Sequence, residues 1–262
     1  MKKGALLFAY NTPETDYLKI ASITAERIGR FLDLPTTVVT NQASIDNTST
    51  SLSNFEKTVI TDIVDENYLS KKMWYNKGRF KAYEFSPYDD TLLIDVDYLI
   101  NSRKLLKLFD NHDIKIHDKI RYLMTSQVEE QIGTSKFSTL WATLIRFQKT
   151  DRARHLFEML EQVQKNYAYY SNLYKYHTFV YRNDYAVTIA LKTINGQLYE
   201  PKDFISWELL HVPDNAIVYK ESDTVYTLER TDPRTAKLEY IKLTNLDFHI
   251  MNKNNFLDLF NA

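Results

Sequence analysis

The feature that most constrains this chain is Thr91-Leu92-Leu93-Ile94-Asp95, an uninterrupted apolar run ending on an acid, with Val96 and Asp97 just beyond it. A strand that is hydrophobic without alternation is buried on both faces, as happens in a parallel sheet covered by helices on each side. The segments before it fit such a sheet. Ala5–Tyr10 is a short apolar run that leads through Asn11-Thr12-Pro13 into a helix expected over Glu14–Leu32, where Leu18, Ala21, Ala25, Ile28 and Phe31/Leu32 recur every three or four residues. Thr12 fits its N-cap and Pro13 its first helical position. Thr36–Thr40 and Lys57–Thr61 read as strands, the polar stretch 41–54 between them as a surface loop, and residues 76–86 as helical. Such alternation marks an α/β half over residues 1–125 or thereabouts.

The second half reads differently. Strands are expected at about 120–126 and 139–148, and helices at 151–165, with Leu156, Leu160 and Val163 on one face, and near 184–194. Short alternating segments at Ile217–Lys220, Val225–Glu229, Lys237–Leu243 and Leu246–Ile250 imply a smaller mixed or antiparallel C-terminal lobe. The expected class is α/β, a mostly parallel central sheet flanked by helices. With 262 residues, near the upper limit for one core, a single domain over 1–262 is expected rather than two.

Composition narrows the chemistry. There is no cysteine, so thiolate ligands and a cysteine nucleophile are excluded, and Asp, Glu and His remain as ligands for a hard divalent cation. The formal net charge of −1 supplies no general field for nucleic acid or anionic membrane. No apolar run approaches the ~20 residues of a bilayer span, and a cytoplasmic protein is expected. The nineteen tyrosines, many between Tyr167 and Tyr185, suit stacking on sugars or bases, and packing explains them equally.

In an open α/β sheet, ligands gather at the C-terminal edge of the strands, where Asp95 and Asp97 fall. Two carboxylates at i and i+2, one ending a strand and one in the following loop, can turn to one divalent cation, which can in turn bridge two phosphate oxygens of a nucleotide. Asp-x-Asp alone is weak evidence; its place at the end of a buried strand, with Asp89-Asp90 just before that strand, strengthens it.

The segment from Asn76-Lys77-Gly78-Arg79 through Ser86-Pro87-Tyr88-Asp89-Asp90 to Asp95-Val96-Asp97 resembles metal-dependent nucleotide-sugar glycosyltransferases of the GT-A fold, of glycogenin-like or phage type. Asp247-Phe248-His249-Ile250-Met251-Asn252-Lys253 is similar to that family's late histidine segment, Trp141–Phe147 to its donor-pocket strand, and Arg182–Ala186 to its acceptor-side helix start. The resemblance implies a nucleotide-binding half at about 1–125 and an acceptor-binding half at about 126–262. It implies Asp95, Asp97 and His249 as ligands of Mn²⁺ or Mg²⁺, Tyr10, Asn11 and Thr12 at the base and ribose, and Lys77, Arg79 and Lys253 at the diphosphate. Asp184 would meet the acceptor hydroxyl. Read from the residues alone, Lys77 and Arg79 equally fit solvated helix charges, and Asn183 or Asp184 fits a helix cap. His249 alternates with apolar Phe248 and Ile250 and so faces away from them as a ligand would, a partly buried side chain bonded to a carbonyl being the alternative.

The function expected is transfer of a sugar from a nucleoside diphosphate sugar, a UDP-sugar above others, to an acceptor hydroxyl on a glycan, a protein or a modified DNA base. The alternatives are a phage-type enzyme acting on hydroxymethylated pyrimidines in DNA, a non-catalytic GT-A-like binding module and a nucleotidyltransferase. The 41–54 stretch has no counterpart in the resemblance, and only five glycines are present where some relatives carry Gly-rich turns.

Overall fold

The computed structural model describes the chain except residues 63–65, 70–71, 76, 124–130, 133–136, 176–179, 199, 232–234 and 262; the side chains of 66–69, 72–75, 77, 131–132 and 137 are likewise outside it. The first half runs β1 (Lys3–Phe8), α1 (Tyr17–Leu32), β2 (Thr36–Thr40), α2 (Gln42–Asp46), β3 (Lys57–Ile60), β4 (Glu66–Leu69), β5 (Lys72–Tyr75), α3 (Ala82–Phe85), β6 (Asp90–Ile94), β7 (Tyr98–Leu99), β8 (Ile114–His117) and β9 (Ile120–Tyr122). There follow β10 (Gln131–Ile132), β11 (Phe137–Ser138), β12 (Trp141–Gln148), α4 (Asp151–Lys165), α5 (Tyr167–Tyr174) and α6 (Asn183–Ile194). The chain ends with β13 (Leu209–Val212), β14 (Ile217–Lys220), β15 (Val225–Thr231), β16 (Leu238–Thr244), β17 (Phe248–Ile250) and α7 (Lys253–Asp258).

The central sheet has the order β3-β2-β1-β6-β12-β8. Its first four strands are parallel, and β12 enters antiparallel between β6 and β8. The apolar run at 91–94 is therefore an inner strand, and Leu92, Leu93 and Ile94 are almost wholly buried. Leu92 and Ile94 pack on the face that carries α1 and the C-terminal strands, whereas Leu93 packs on the face that carries α4 and α6. This two-sided burial is what an unalternating apolar strand requires. A smaller mixed sheet, β7-β17-β13-β9, joins strands of both halves, and a three-stranded antiparallel sheet, β14-β15-β16, lies in the second half. The α/β class and the smaller C-terminal sheets thus follow the sequence reading. Among the described residues no helix is long and apolar enough to cross a membrane.

Several boundaries moved for local reasons. Helix α1 starts at Tyr17 because the Asp16 carboxylate caps the Lys19 amide at 3.0 Å, while Thr12 and Thr15 close a turn of their own through reciprocal backbone bonds of 3.0 and 3.3 Å. Within the stretch 41–54, expected as loop, Asn41 caps the short α2 through the Ser44 amide at 2.8 Å. The 76–86 region is a 3₁₀ turn over Lys77–Lys81 that passes into α3. Gly4 is required by packing, since a Cβ there would lie 2.4 Å from the Tyr88 ring.

Candidate metal and nucleotide site

Asp95 follows the last residue of β6 and Asp97 lies two residues on, in a loop whose backbone is held from three sides. The Asp95 amide donates to the Thr143 carbonyl on β12 at 2.9 Å, and the Ile250 amide on β17 donates to the Asp97 carbonyl at 3.0 Å. From α1, the buried Thr24 hydroxyl donates to the Val96 carbonyl at 2.5 Å, and Arg27 Nε donates to the Ile100 carbonyl at 2.7 Å. Polar residues on the buried stripe of α1 therefore fix the loop that presents both acids, which reduces the reorganisation a bound cation would demand.

Strand β17 brings the third group. It pairs with β7 in a register that sets His249 opposite Tyr98, next to Asp97. Asp95, Asp97 and His249 each offer a ligand atom, and these atoms lie within 4.8 Å of one another, although His249 is more than 150 residues away in sequence. His249 Nε2 stands 3.1 Å from Asp97 Oδ1, and the two side chains are 8% and 7% exposed. The other ring nitrogen, Nδ1, faces His211 Nδ1 at 3.2 Å.

Two basic side chains complete the cluster. Arg79, buried, pairs with Asp95 through Nη1 and donates from Nη2 to the Ala142 carbonyl at 2.9 Å. Its Nε is buried with no hydrogen-bond partner among the described residues, a donor left over for an anion. Lys253 pairs through Nζ with Asp97 Oδ2 and also donates to the Met251 carbonyl at 2.9 Å.

These surroundings push the two acids apart. Burial raises the Asp95 carboxyl above the ordinary carboxylate range, Arg79 opposes the rise, and the Asp97 charge adds to it. Burial acts on Asp97 in the same sense, but His249 and Lys253 outweigh it and hold that carboxyl well below its usual range. Burial is the largest single influence on Lys253 and lowers it, but Asp97, Tyr17 and Asp95 together outweigh burial and raise it, so the ammonium persists. Burial and the neighbouring His249 lower His211 to about 3, which keeps its ring neutral.

Asp184 lies in the first turn of α6, whose N-cap residue is Arg182 with no side-chain cap bond. Its Oδ1 accepts the Ala142 amide at 2.8 Å, and Arg182 Nη2 stands 3.5 Å from Oδ2. Ala142 thus links Arg79 and Asp184 to one stretch of β12, and the Asp184 charge contributes to raising Asp95. Asp184, with its side chain 22% exposed, is an acid beside the cluster rather than a member of the ligand triad.

The residues expected at the base and ribose sit at the end of β1. Tyr10 is buried in the core on the α4 face. Asn11 is engaged locally, its amide nitrogen donating to the Ser44 carbonyl at 3.3 Å and its oxygen accepting the Leu18 amide at 3.0 Å. Thr12 accepts the Thr15 amide at 3.1 Å. The Lys77 side chain, with Tyr176 and His177 of the Tyr-rich stretch, lies outside the described residues. Sequence reasoning missed His211, whose short strand β13 ends against Pro213 and shows no alternation long enough to read. It also missed Tyr17, which feels the charges of Lys253 and Asp97 from the start of α1.

No protein-family model matches the chain, and no curated protein matches it in sequence. Among solved structures it is similar to an active-site mutant of LgtC, with 15% identity and a TM-score of 0.47 over 72% of this chain and 69% of that one. It is similar also to apo mouse xyloside xylosyltransferase 1, with 12% identity and a TM-score of 0.49 over 79% of this chain and 85% of that one. A third is the glycosyltransferase GlyE of Streptococcus pneumoniae, with 11% identity and a TM-score of 0.42, where 79% of this chain covers 46% of that one.

Proposed function

We propose that this chain is a metal-dependent glycosyltransferase of the GT-A type that moves a sugar from a nucleoside diphosphate sugar, UDP-linked above others, to an acceptor hydroxyl. The observation that carries the reading is the convergence of Asp95, Asp97 and His249 from β6, its loop and β17, flanked by Arg79 and Lys253. Two carboxylates and an imidazole form a donor set suited to Mn²⁺ or Mg²⁺. Arg79 Nε, which has no partner among the described residues, and the Lys253 ammonium suit the diphosphate, and this polar cluster exceeds what packing a sheet edge needs.

When bound, the cation would neutralise negative charge that grows on the diphosphate as the glycosidic bond breaks. The chain's own residues do the rest. Arg79 and Lys253 hold the leaving diphosphate, and the loop anchored by Thr24, Thr143 and Ile250 keeps the acids in place. Asp184 accepts the proton of an attacking hydroxyl in this reading, through Oδ2, which stands 3.5 Å from Arg182 Nη2, since Oδ1 is committed to the Ala142 amide. The acceptor, whether glycan, protein or modified base, meets the Asp184 side of the site.

The test is a thermal-shift screen of UDP-, GDP- and CMP-sugars with Mn²⁺, followed by assay of sugar release. A UDP-sugar at a hundredfold excess over Kd should stabilise the fold by about 2.7 kcal/mol. No shift with any donor would overturn the reading in favour of a binding module.

A further inference from the structure

Strands β13 and β17 run parallel, and their register sets His211 directly beside His249. Both side chains are buried, and their Nδ1 atoms are 3.2 Å apart. His211 is held on its other sides by aromatic rings. Tyr122 on β9 meets it edge-on at 5.0 Å between centroids, and Trp141 on β12 lies tilted against it at 6.5 Å. Tyr122 and Trp141 also pack edge-to-face on each other at 6.1 Å. This arrangement fixes the imidazole plane, and with it the direction in which Nδ1 points.

A neutral imidazole has one N–H and one lone pair, and which nitrogen carries the proton is set by what the other touches. His249 turns Nε2 toward Asp97 and Nδ1 toward His211. To act as a ligand beside Asp97, Nε2 must hold the lone pair, so the proton must reside on Nδ1 and needs an acceptor there. Among the described residues His211 Nδ1 is the polar atom placed to accept it.

We propose that His211 is a positioning residue, which accepts the Nδ1–H of His249 when a cation is bound and so leaves the Nε2 lone pair free for that cation, between Asp95 and Asp97. The inference rests on the metal-dependent reading above. Loss of a partner that orients a ligating His lowers metal affinity roughly 10- to 100-fold. The Oδ1 of an asparagine at 211 can reach the place of Nδ1 and accept the same proton, whereas a leucine cannot.

The experiment measures Mn²⁺ affinity by calorimetry at saturating UDP in wild type, His211→Leu and His211→Asn, with thermal unfolding of each. The expected result is a loss of about tenfold or more in His211→Leu and recovery to within about threefold of wild type in His211→Asn. Equal affinities in all three would overturn the role of His211 while leaving the metal site standing. If wild type itself binds no Mn²⁺ with UDP, the functional reading falls and the inference with it. A readout that needs no variant is the ¹⁵N spectrum of the His249 ring in wild type with Mg²⁺ and UDP. It should report protonated Nδ1 and bare Nε2; the opposite tautomer would overturn the proposal even if His211→Leu failed to fold.

Discussion

Replacing Lys253 with Met should change two affinities in opposite directions. Its ammonium pairs with Asp97 Oδ2, the same carboxylate that offers a ligand atom beside Asp95 and His249. A cation arriving alone must compete with that ammonium, whereas a cation arriving with a diphosphate brings anions to which Lys253 can turn. Two unit charges about 4 Å apart interact by roughly 4 kcal/mol at an effective dielectric constant of ~20. The side chains of Lys253 and Asp97 are 18% and 7% exposed, so little of this is screened by bulk water. If only a third of it opposes the metal, about 1.4 kcal/mol, the effect is tenfold. Titration calorimetry should therefore show Lys253→Met binding Mn²⁺ alone about tenfold more tightly than wild type. It should bind UDP in saturating Mn²⁺ at least about tenfold more weakly, because a charge-assisted contact to phosphate is lost. A decrease in both affinities, or no change in the metal affinity, would refute this reasoning.

Asp184→Asn should lower the rate of sugar transfer by about 100-fold or more while leaving UDP affinity in Mn²⁺ within a few-fold of wild type, which initial-rate kinetics and calorimetry can separate. Thr24→Val keeps the shape of the side chain but deprives the Val96 carbonyl of its 2.5 Å donor. It should cost about 1–3 kcal/mol by chemical denaturation and weaken metal-dependent UDP binding in parallel. The buried rings of His117 and His211 are both lowered to about 3, His117 by burial against the Trp207 carbonyl bond that favours its charged form, so the unfolded chain takes up their protons first. Their contribution to stability is complete above the ordinary His value near 6.5 and is lost as pH falls below it, by up to about 1.4 kcal/mol per pH unit for each ring. Denaturant titrations from pH 7 to pH 5 should show this slope, and His117→Asn should remove about half of it.

Much of the fold could be read because its signals are local. The runs at 5–10, 36–40 and 91–95 became β1, β2 and β6, and the apolar spacing of Leu18, Ala21, Ala25 and Ile28 became the buried face of α1. What escaped depends on partners far away in sequence. Thr24 and Arg27 interrupt that apolar face, and their reason for being there is the backbone at Val96 and Ile100, more than 70 residues on. Strand β13 is four residues long and is stabilised by β9 and β17, neither of which is near it in the chain. His211 accordingly carried no readable sign. In the candidate site, Asp95, Asp97 and His249 were legible because acids at the end of a buried strand, and a His alternating with apolar neighbours, have few packing reasons to occur. The ends of side chains were not legible: Asn11 and Thr12 are engaged in turns and caps, which no spacing rule separates from contact with a ribose.

The central claim concerns one point in space, between Asp95, Asp97 and His249. Crystals grown with UDP and Mn²⁺, measured at a wavelength where manganese scatters anomalously, would locate the ion directly. The account expects one strong peak about 2.0–2.3 Å from His249 Nε2 and from oxygens of Asp95 and Asp97, with UDP diphosphate oxygens on the same ion. A peak elsewhere, or UDP bound at this edge of the sheet with no peak between these three residues, would contradict it.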